Sequence, residues 1–330
     1  MLSEESSFPT TGETDMGIDT ASSRALRFLR KRDLLRAENP AHEHIRTLLM
    51  ISGGGMRGVY GAGVCIALHH LELSDCFDTV IGVSTGAAIG GYFLTGKAYA
   101  ACGTTIYYEE CLGGFIKRTI PIPTVDIDFL ESVFRNGAKK LDLTALAESR
   151  SKFLVGVTHY DTGSGELVDA KCAQPDPIAA IKASLALTFA YRNAVYVNET
   201  PYTDGGMSEP LPLEEAVRQC TPTDILVVSN YSEEESRAMG ESWKEKVLDM
   251  VLSRRMPSQL KTPFATRDTR WKESLAYAEN PPCMTKIFYG PRGVHILTRN
   301  LLLLRTATLQ GITDALAFFG DETPPVTLMP

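Results

Sequence analysis

Two short apolar runs, Ile45 to Ile51 and Phe77 to Val83, each end in a turn of small residues and lead into a helix-patterned segment. This repeated strand-turn-helix unit constrains the fold more than any other feature of the chain. Apolar runs without polar alternation are what strands buried on both faces of a parallel sheet show. Val59 to Leu71 reads as the first helix. The second runs from Thr85 to about Leu94 and is built from Gly86, Ala87, Ala88, Gly90 and Gly91, small enough to pack closely on a sheet. Further on, Lys152 to Tyr160 and Glu166 to Ala170 flank the turn-rich Asp161 to Gly165, which predicts a hairpin. Pro177 to Ser184 suits a helix with proline in its first turn. Val195 to Val197, Tyr202 to Thr203, Asp224 to Ser229 and Lys286 to Tyr289 read as strands, Leu213 to Gln219 and Thr306 to Phe319 as helices, and Glu233 to Asn280 as polar and mostly helical. The expected fold is α/β, a single domain with a mixed, mostly parallel central sheet flanked by helices.

That domain is expected over residues 41–320, with no internal repeat and no linker after Pro40. Residues 1–23, rich in Ser, Thr, Gly and acid, read as a disordered tail, and 321–330 as a second tail. Between tail and domain, residues 24–40 form a basic lead-in. Arg24, Arg27, Arg30, Lys31, Arg32 and Arg36 are spread around a predicted short helix without a clean apolar face, so its expected state is a solvated helix.

Composition excludes several partner classes. Of 330 residues, 33 are Lys or Arg and 40 are Asp or Glu, a formal charge of −7, which leaves no overall attraction for nucleic acid. Seven cysteines without a C-x-x-C pair fit neither a disulfide framework nor a zinc site and suggest a reducing compartment. The first residues lack the layout of a secretory signal, and no apolar run of about 18 residues escapes charge. A cytoplasmic protein is expected, peripheral at membranes if it meets them; oligomeric state has no sequence signal.

Three motifs carry chemistry. Gly82-Val83-Ser84-Thr85-Gly86 is a G-x-S-x-G sequence between a predicted strand and a predicted helix, where a sharp turn would project the serine oxygen clear of the backbone. Ser52-Gly53-Gly54-Gly55-Met56-Arg57-Gly58 sits at the exit of the preceding strand. Consecutive glycines there can converge their N–H groups on an anion. A P-loop is a poorer fit, because Val59 and Tyr60 follow where Lys and Ser or Thr belong. Gly53, Gly55 and Gly58 do match the G-x-G-x-x-G dinucleotide pattern, but a nucleophile on the next strand favours an oxyanion hole over a cofactor. Asp204-Gly205-Gly206 is ordinarily a turn. A nucleophilic serine needs a base, however, and the candidates are a carboxylate or one of His42, His44, His69, His70, His159 and His295.

The three motifs in this order, each at a strand end, resemble the patatin-like phospholipase family. The resemblance implies a patatin-like three-layer domain and a Ser-Asp dyad that hydrolyses acyl esters of lipid or phospholipid without metal, cofactor or histidine. By position, Ser84 is the implied nucleophile, with Gly82 and Gly86 shaping its elbow. Asp204 is the implied base, in a motif with Gly205 and Gly206. Gly53, Gly54, Gly55, Arg57 and Gly58 form the implied oxyanion hole, Arg57 holding or polarising the loop. The sequence departs from the family at Ser52, where many members carry an acid, and at Thr188, where proline is frequent. Met207 to Pro212 and Gly311-Ile312-Thr313-Asp314-Ala315 are similar to the bacterial intracellular branch. An α/β-hydrolase triad of Ser84, an acid and His295 has the same chain order and is the alternative, as is a catalytically silent lipid-binding module.

A serine hydroxyl is a weaker acid than a free aspartic acid by about nine pKa units, so complete proton transfer before attack costs on the order of 12 kcal/mol. The transfer must therefore accompany attack while backbone donors take up the developing charge. Leu112 to Pro123 has the composition of a lid or membrane-touching loop, although core burial explains its apolar residues as well. Leu301 to Leu304, Phe318 and Phe319 are expected in the core.

Overall fold

Every residue of the strand Thr47–Ile51 is buried, and its side chains alternate between two cores: Leu48 and Met50 enter one, Leu49 and Ile51 the other. Period-two alternation with apolar residues on both sides is why the sequence run shows no polar positions. The computed structural model describes residues 21–96, 104–117, 124–280 and 282–321. In chain order these begin with α1 (Ala21–Arg36), β1 (Thr47–Ile51), α2 (Val59–His70), β2 (Thr79–Val83) and α3 (Thr85–Leu94). A π-helical segment, Tyr107–Phe115, leads through the two-residue strands β3 (Ile116–Lys117) and β4 (Thr124–Val125) to α4 (Ile127–Arg135) and α5 (Leu143–Glu148). The hairpin β5 (Lys152–His159) and β6 (Gly165–Asp169) is followed by α6 (Pro177–Leu185), β7 (Val195–Val197), β8 (Thr200–Asp204), α7 (Leu213–Cys220) and β9 (Asp224–Ser229). The remainder is α8 (Glu233–Arg237), α9 (Trp243–Ser253), α10 (Ser258–Glu279), β10 (Met284–Tyr289) and α11 (Leu301–Phe318).

The main sheet has the order β10-β9-β1-β2-β5-β8-β7, with β6 also on β5. From β10 to β5 all neighbours are parallel; β6 and β8 run antiparallel to β5, and β7 to β8. The sheet is mixed and mostly parallel, as the sequence predicts. Helices α2, α3, α6 and α11 contribute to one core, while α7 and α10 cover the other face.

One detail of register places the site. Leu154 to Gly156 of β5 pair with both β2 and β6, so those two strands lie on opposite edges. Val157 and Thr158 pair with both β6 and β8, so β8 shares the edge of β2. β2 and β8 therefore meet head to head along β5. Val83, the last residue of β2, opposes Gly156, and Asp204, the last residue of β8, opposes Val157.

Two expectations are corrected. The basic helix α1 is not solvated: Phe28 is 1% exposed, lies against Phe77 and Phe319, and shares the core with Ala25. Its cations are taken up by acids at the sheet's N-terminal edge, Arg27 by Asp224 at 2.5 Å and the buried Lys31 by Asp78. Burial pushes the Lys31 amine down, against the upward pull of Asp78. The apolar contact falls on residues three apart, which a count of charges around the helix does not reveal. Likewise only Leu304 of the Leu301–Leu304 run is buried; Leu301, Leu302 and Leu303 are exposed. The helix is capped at Asn300, and its inward stripe is Leu304, Ala307, Thr308, Gly311 and Ile312. Phe319 is buried as expected and Phe318 packs on the core. The acidic tail to residue 20, residues 118–123 of the expected lid and residues 322–330 lie outside the described residues.

Candidate active site

Ser84 follows the last residue of β2 and caps α3 with φ 54° and ψ −126°. A non-glycine residue there is strained by about 1–3 kcal/mol and needs surroundings that hold it. They include Ser184 on α6, whose hydroxyl accepts from the Ser84 N–H at 2.7 Å and donates to the Gly156 carbonyl at 2.6 Å. The flanking glycines are required by close approach: a Cβ on Gly82 would stand 2.3 Å from the Gly86 carbonyl oxygen, and one on Gly86 2.1 Å from that of Ile51.

Opposite the elbow, Asp204 ends β8. The Ser84 hydroxyl donates to Asp204 Oδ2 at 2.8 Å, and the Gly206 N–H donates to Oδ1 at 2.7 Å. Behind the carboxylate, Thr158 on β5 donates to the Asp204 backbone carbonyl at 2.8 Å and meets Ser208 at 2.7 Å. Asp204 is 1% exposed. Burial pushes its carboxyl up to about 7, against the downward pull of the bonds from Ser84 and Gly206.

The glycine loop leaves β1 beside this pair. Gly54 and Gly55 have φ of +147° and +57°, backbone conformations that glycine adopts without a Cβ penalty. Asn230, just after β9, fixes the loop. Its Nδ2 donates to the Ser52 carbonyl at 2.6 Å, its N–H donates to Ser52 Oγ at 3.0 Å, and its Oδ1 accepts from the Gly61 N–H at 3.0 Å. Ser52, where an acid is frequent in the family, is thus an acceptor in this lock. Thr188, at the other departure, pairs with Thr203 at 2.8 Å. Arg57 reaches Glu235 at 3.2 Å and lies 4.5 Å over the Tyr231 ring.

Gly53, Gly54, Gly55, Arg57, Ser84, Asp204 and Gly206 border one cavity of about 480 Å³. Its remaining wall is largely apolar, including Phe115, Leu185, Phe189, Met207, Leu252 and Phe264, a size and lining typical of small-molecule sites. Two buried donors on the wall, Arg57 Nε and Trp271 Nε1, find no acceptor among the described residues. Gly58, Gly82, Gly86 and Gly205 do not border the cavity; Gly58 packs on the Tyr107 hydroxyl and Gly205 on β5. Nor does His295, which is exposed in a turn where its N–H donates to Thr298; among the described residues no histidine borders the cavity. Sequence reasoning missed Ser184, Asn230 and Thr158. Their signal was positional: Asn230 follows the buried strand Asp224–Ser229, at the same sheet edge as Ser52 and Ser84, where α/β proteins place ligands.

At this sheet end a strand-to-helix serine faces a buried carboxylate, with a glycine loop beside both. The chain belongs to the patatin-like phospholipase family, whose model matches residues 49–217 and so spans both Ser84 and Asp204. That family acts on lipids. Among curated proteins the chain is similar to YjjU of Escherichia coli (strain K12), an uncharacterized protein, with 23% identity over 279 residues that cover 76% of this chain and 70% of YjjU. Among solved structures it is similar to VipD from Legionella pneumophila, with 12% identity and a TM-score of 0.45, covering 84% of this chain and 67% of that one.

Proposed function

We propose that the protein is a serine acyl hydrolase that cleaves carboxyl esters of lipids or phospholipids through a Ser84–Asp204 dyad. The observation that carries the reading is the 2.8 Å hydrogen bond from Ser84 to a fully buried carboxylate at the wall of an apolar cavity. In the first step Ser84 Oγ attacks the ester carbonyl as its proton passes to Asp204. Negative charge moves to the carbonyl oxygen, which the amides of Gly53, Gly54 and Gly55 would receive as an oxyanion hole. Collapse expels the alcohol with that proton and leaves an acyl-serine; water, deprotonated by Asp204, then releases the fatty acid. Burial assists the base. With Asp204 near 7, the mismatch with serine shrinks from about nine pKa units to about six, roughly 4 kcal/mol less opposed. The raised value also keeps the base ionised only from neutral pH upward. Arg57, tied to Glu235 and Tyr231, braces the loop.

The test is labelling with a serine-directed fluorophosphonate and hydrolysis of a mixed lipid-ester panel. The wild type should label at Ser84 and release fatty acid. Ser84→Ala should do neither, and Asp204→Asn should lose about a thousandfold or more in kcat. His295→Ala should keep its activity; a loss as deep as that of Ser84→Ala would move the assignment to a triad. Folded wild-type protein that neither labels nor hydrolyses would leave a silent lipid-binding module.

A further inference from the structure

Helix α9 has an unusual surface. Trp243, Val247, Leu248, Met250 and Val251 are 70, 48, 47, 52 and 36% exposed on eleven residues of helix. Among those of its residues whose side chains are described, only Leu252 is buried. Single exposed apolar side chains are ordinary, but five within three turns mark a contact surface. Trp243, Val247 and Val251 are four residues apart and form one stripe.

The position of this helix says what it would contact. Leu248, Asp249 and Leu252 border the cavity that holds Ser84, whereas Trp243, Val247 and Val251 do not. The helix therefore has one side on the cavity and an apolar stripe directed away from it. Arg267 on α10 holds it through Asp249 at 2.8 Å. Elsewhere on the cavity wall, Ile296 and Leu297 lead on to the exposed Leu301, Leu302 and Leu303. Charge narrows the partner. Residues 243–261 contain Lys244, Lys246, Arg254, Arg255 and Lys261 against Glu245 and Asp249, a basic segment in a chain of net charge −7. Lys246, Arg254, Arg255 and Lys261 are exposed. Apolar side chains flanked by cations are the composition of a helix that lies in the headgroup layer of an anionic bilayer.

We propose that α9 docks the protein on anionic lipid bilayers, seating Trp243, Val247 and Val251 among the headgroups, with the cavity that holds Ser84 on the other side of the helix. The inference rests on the reading of that cavity as a lipid-ester site, and its test separates the two. Binding is measured with Ser84→Ala protein, on vesicles of phosphatidylcholine alone and of phosphatidylcholine mixed with phosphatidylglycerol. Stronger co-sedimentation with the anionic vesicles is expected, with a blue shift of tryptophan emission and quenching by brominated lipid. The signals are assigned to Trp243 by their loss in Trp243→Phe, because the chain's other tryptophan, Trp271, is buried at the cavity wall. Adding Val247→Glu and Val251→Glu should weaken vesicle binding about tenfold or more. In the wild-type background the same pair should leave hydrolysis of a soluble short-chain ester unchanged, which also shows that the variant folds. Absence of binding to both vesicles, binding indifferent to anionic lipid, unquenched Trp243, or equal binding by the double variant would each overturn the proposal. So would a dimer that the double variant dissociates without any vesicle binding, which assigns the stripe to a second copy of the chain. Vesicle binding without ester hydrolysis by the wild type would leave the docking intact and defeat the hydrolase reading; hydrolysis of the soluble ester without vesicle binding would do the reverse.

Discussion

The two walls of the cavity are built on different principles. On one side, Ser84, Asp204 and the glycine loop stand at the ends of β1, β2 and β8, held by buried hydrogen bonds with Ser184, Thr158 and Asn230. On the other, α9 is held by Leu252 and by the partly buried Asp249–Arg267 pair, with most of its apolar side chains in solvent. Reacting groups need positions fixed to within a fraction of an ångström, which sheet ends supply through backbone bonds that cannot shift singly. A wall that admits a long, greasy substrate needs to yield, and weakly packed helices open at little cost. Under the proposed hydrolase reading, rigidity falls to chemistry and compliance to entry.

The strongest way to break the contrast is to disturb the sheet end. Gly86→Ala places a Cβ 2.1 Å from the Ile51 carbonyl oxygen, which no rotamer can relieve. It should cost about 3 kcal/mol or more, read as a large drop in the thermal midpoint or failure to fold; near-native stability would show that this wall yields too. Next is Asp204, whose folded-state value is raised. Between the ordinary carboxylate range and about 7, the folded protein keeps a proton that the unfolded chain releases. Stability contributed by this group is therefore greatest in acid, falls as pH rises through that window and levels off above it. Asp204→Asn removes the dependence and should be more stable than wild type at pH 8, by roughly 4 kcal/mol at most, with a gain that shrinks toward pH 4. Wild-type activity should run the opposite way, rising with pH through about 7 as the base ionises. Denaturant melts and pH–rate profiles of both proteins check the pair of trends; parallel trends would count against Asp204 as base. The smallest effect is expected on the compliant side. Asp249→Ala removes a partly buried ion pair and should change stability by about 1–2 kcal/mol, a value that urea melts resolve. A loss comparable to that of Gly86→Ala would mean that α9 is no looser than the sheet.

Much of the architecture was legible because the pattern that encodes it is local. β1, β2, α2, α3, the β5–β6 hairpin, α6 and β9 all fall within a few residues of their expected bounds. The strand-to-helix placement of Gly82 to Gly86 and of the glycine loop was likewise readable from neighbouring residues. What failed to show was whatever depended on partners far along the chain. The charges of α1 looked solvated because Asp78 and Asp224, which accept them, lie 47 and 197 residues away from Lys31 and Arg27. Leu301 to Leu303 looked like core because four leucines in a row conceal which one the helix turns inward.

For the candidate site the division is similar. The residue types and their order along the chain, a serine at an elbow, a nest of glycines and an Asp-Gly-Gly turn, are properties of the polypeptide alone, since each follows from side-chain chemistry and short-range backbone geometry. That Ser84 touches Asp204 is decided by tertiary structure. The contact exists because β2 and β8, 120 residues apart at these positions, end against adjacent residues of β5. The depth of the Asp204 carboxylate, and with it a pKa raised to about 7, is set by the helices and strands that exclude water around it, and desolvation belongs to the assembled fold rather than to any segment of the chain.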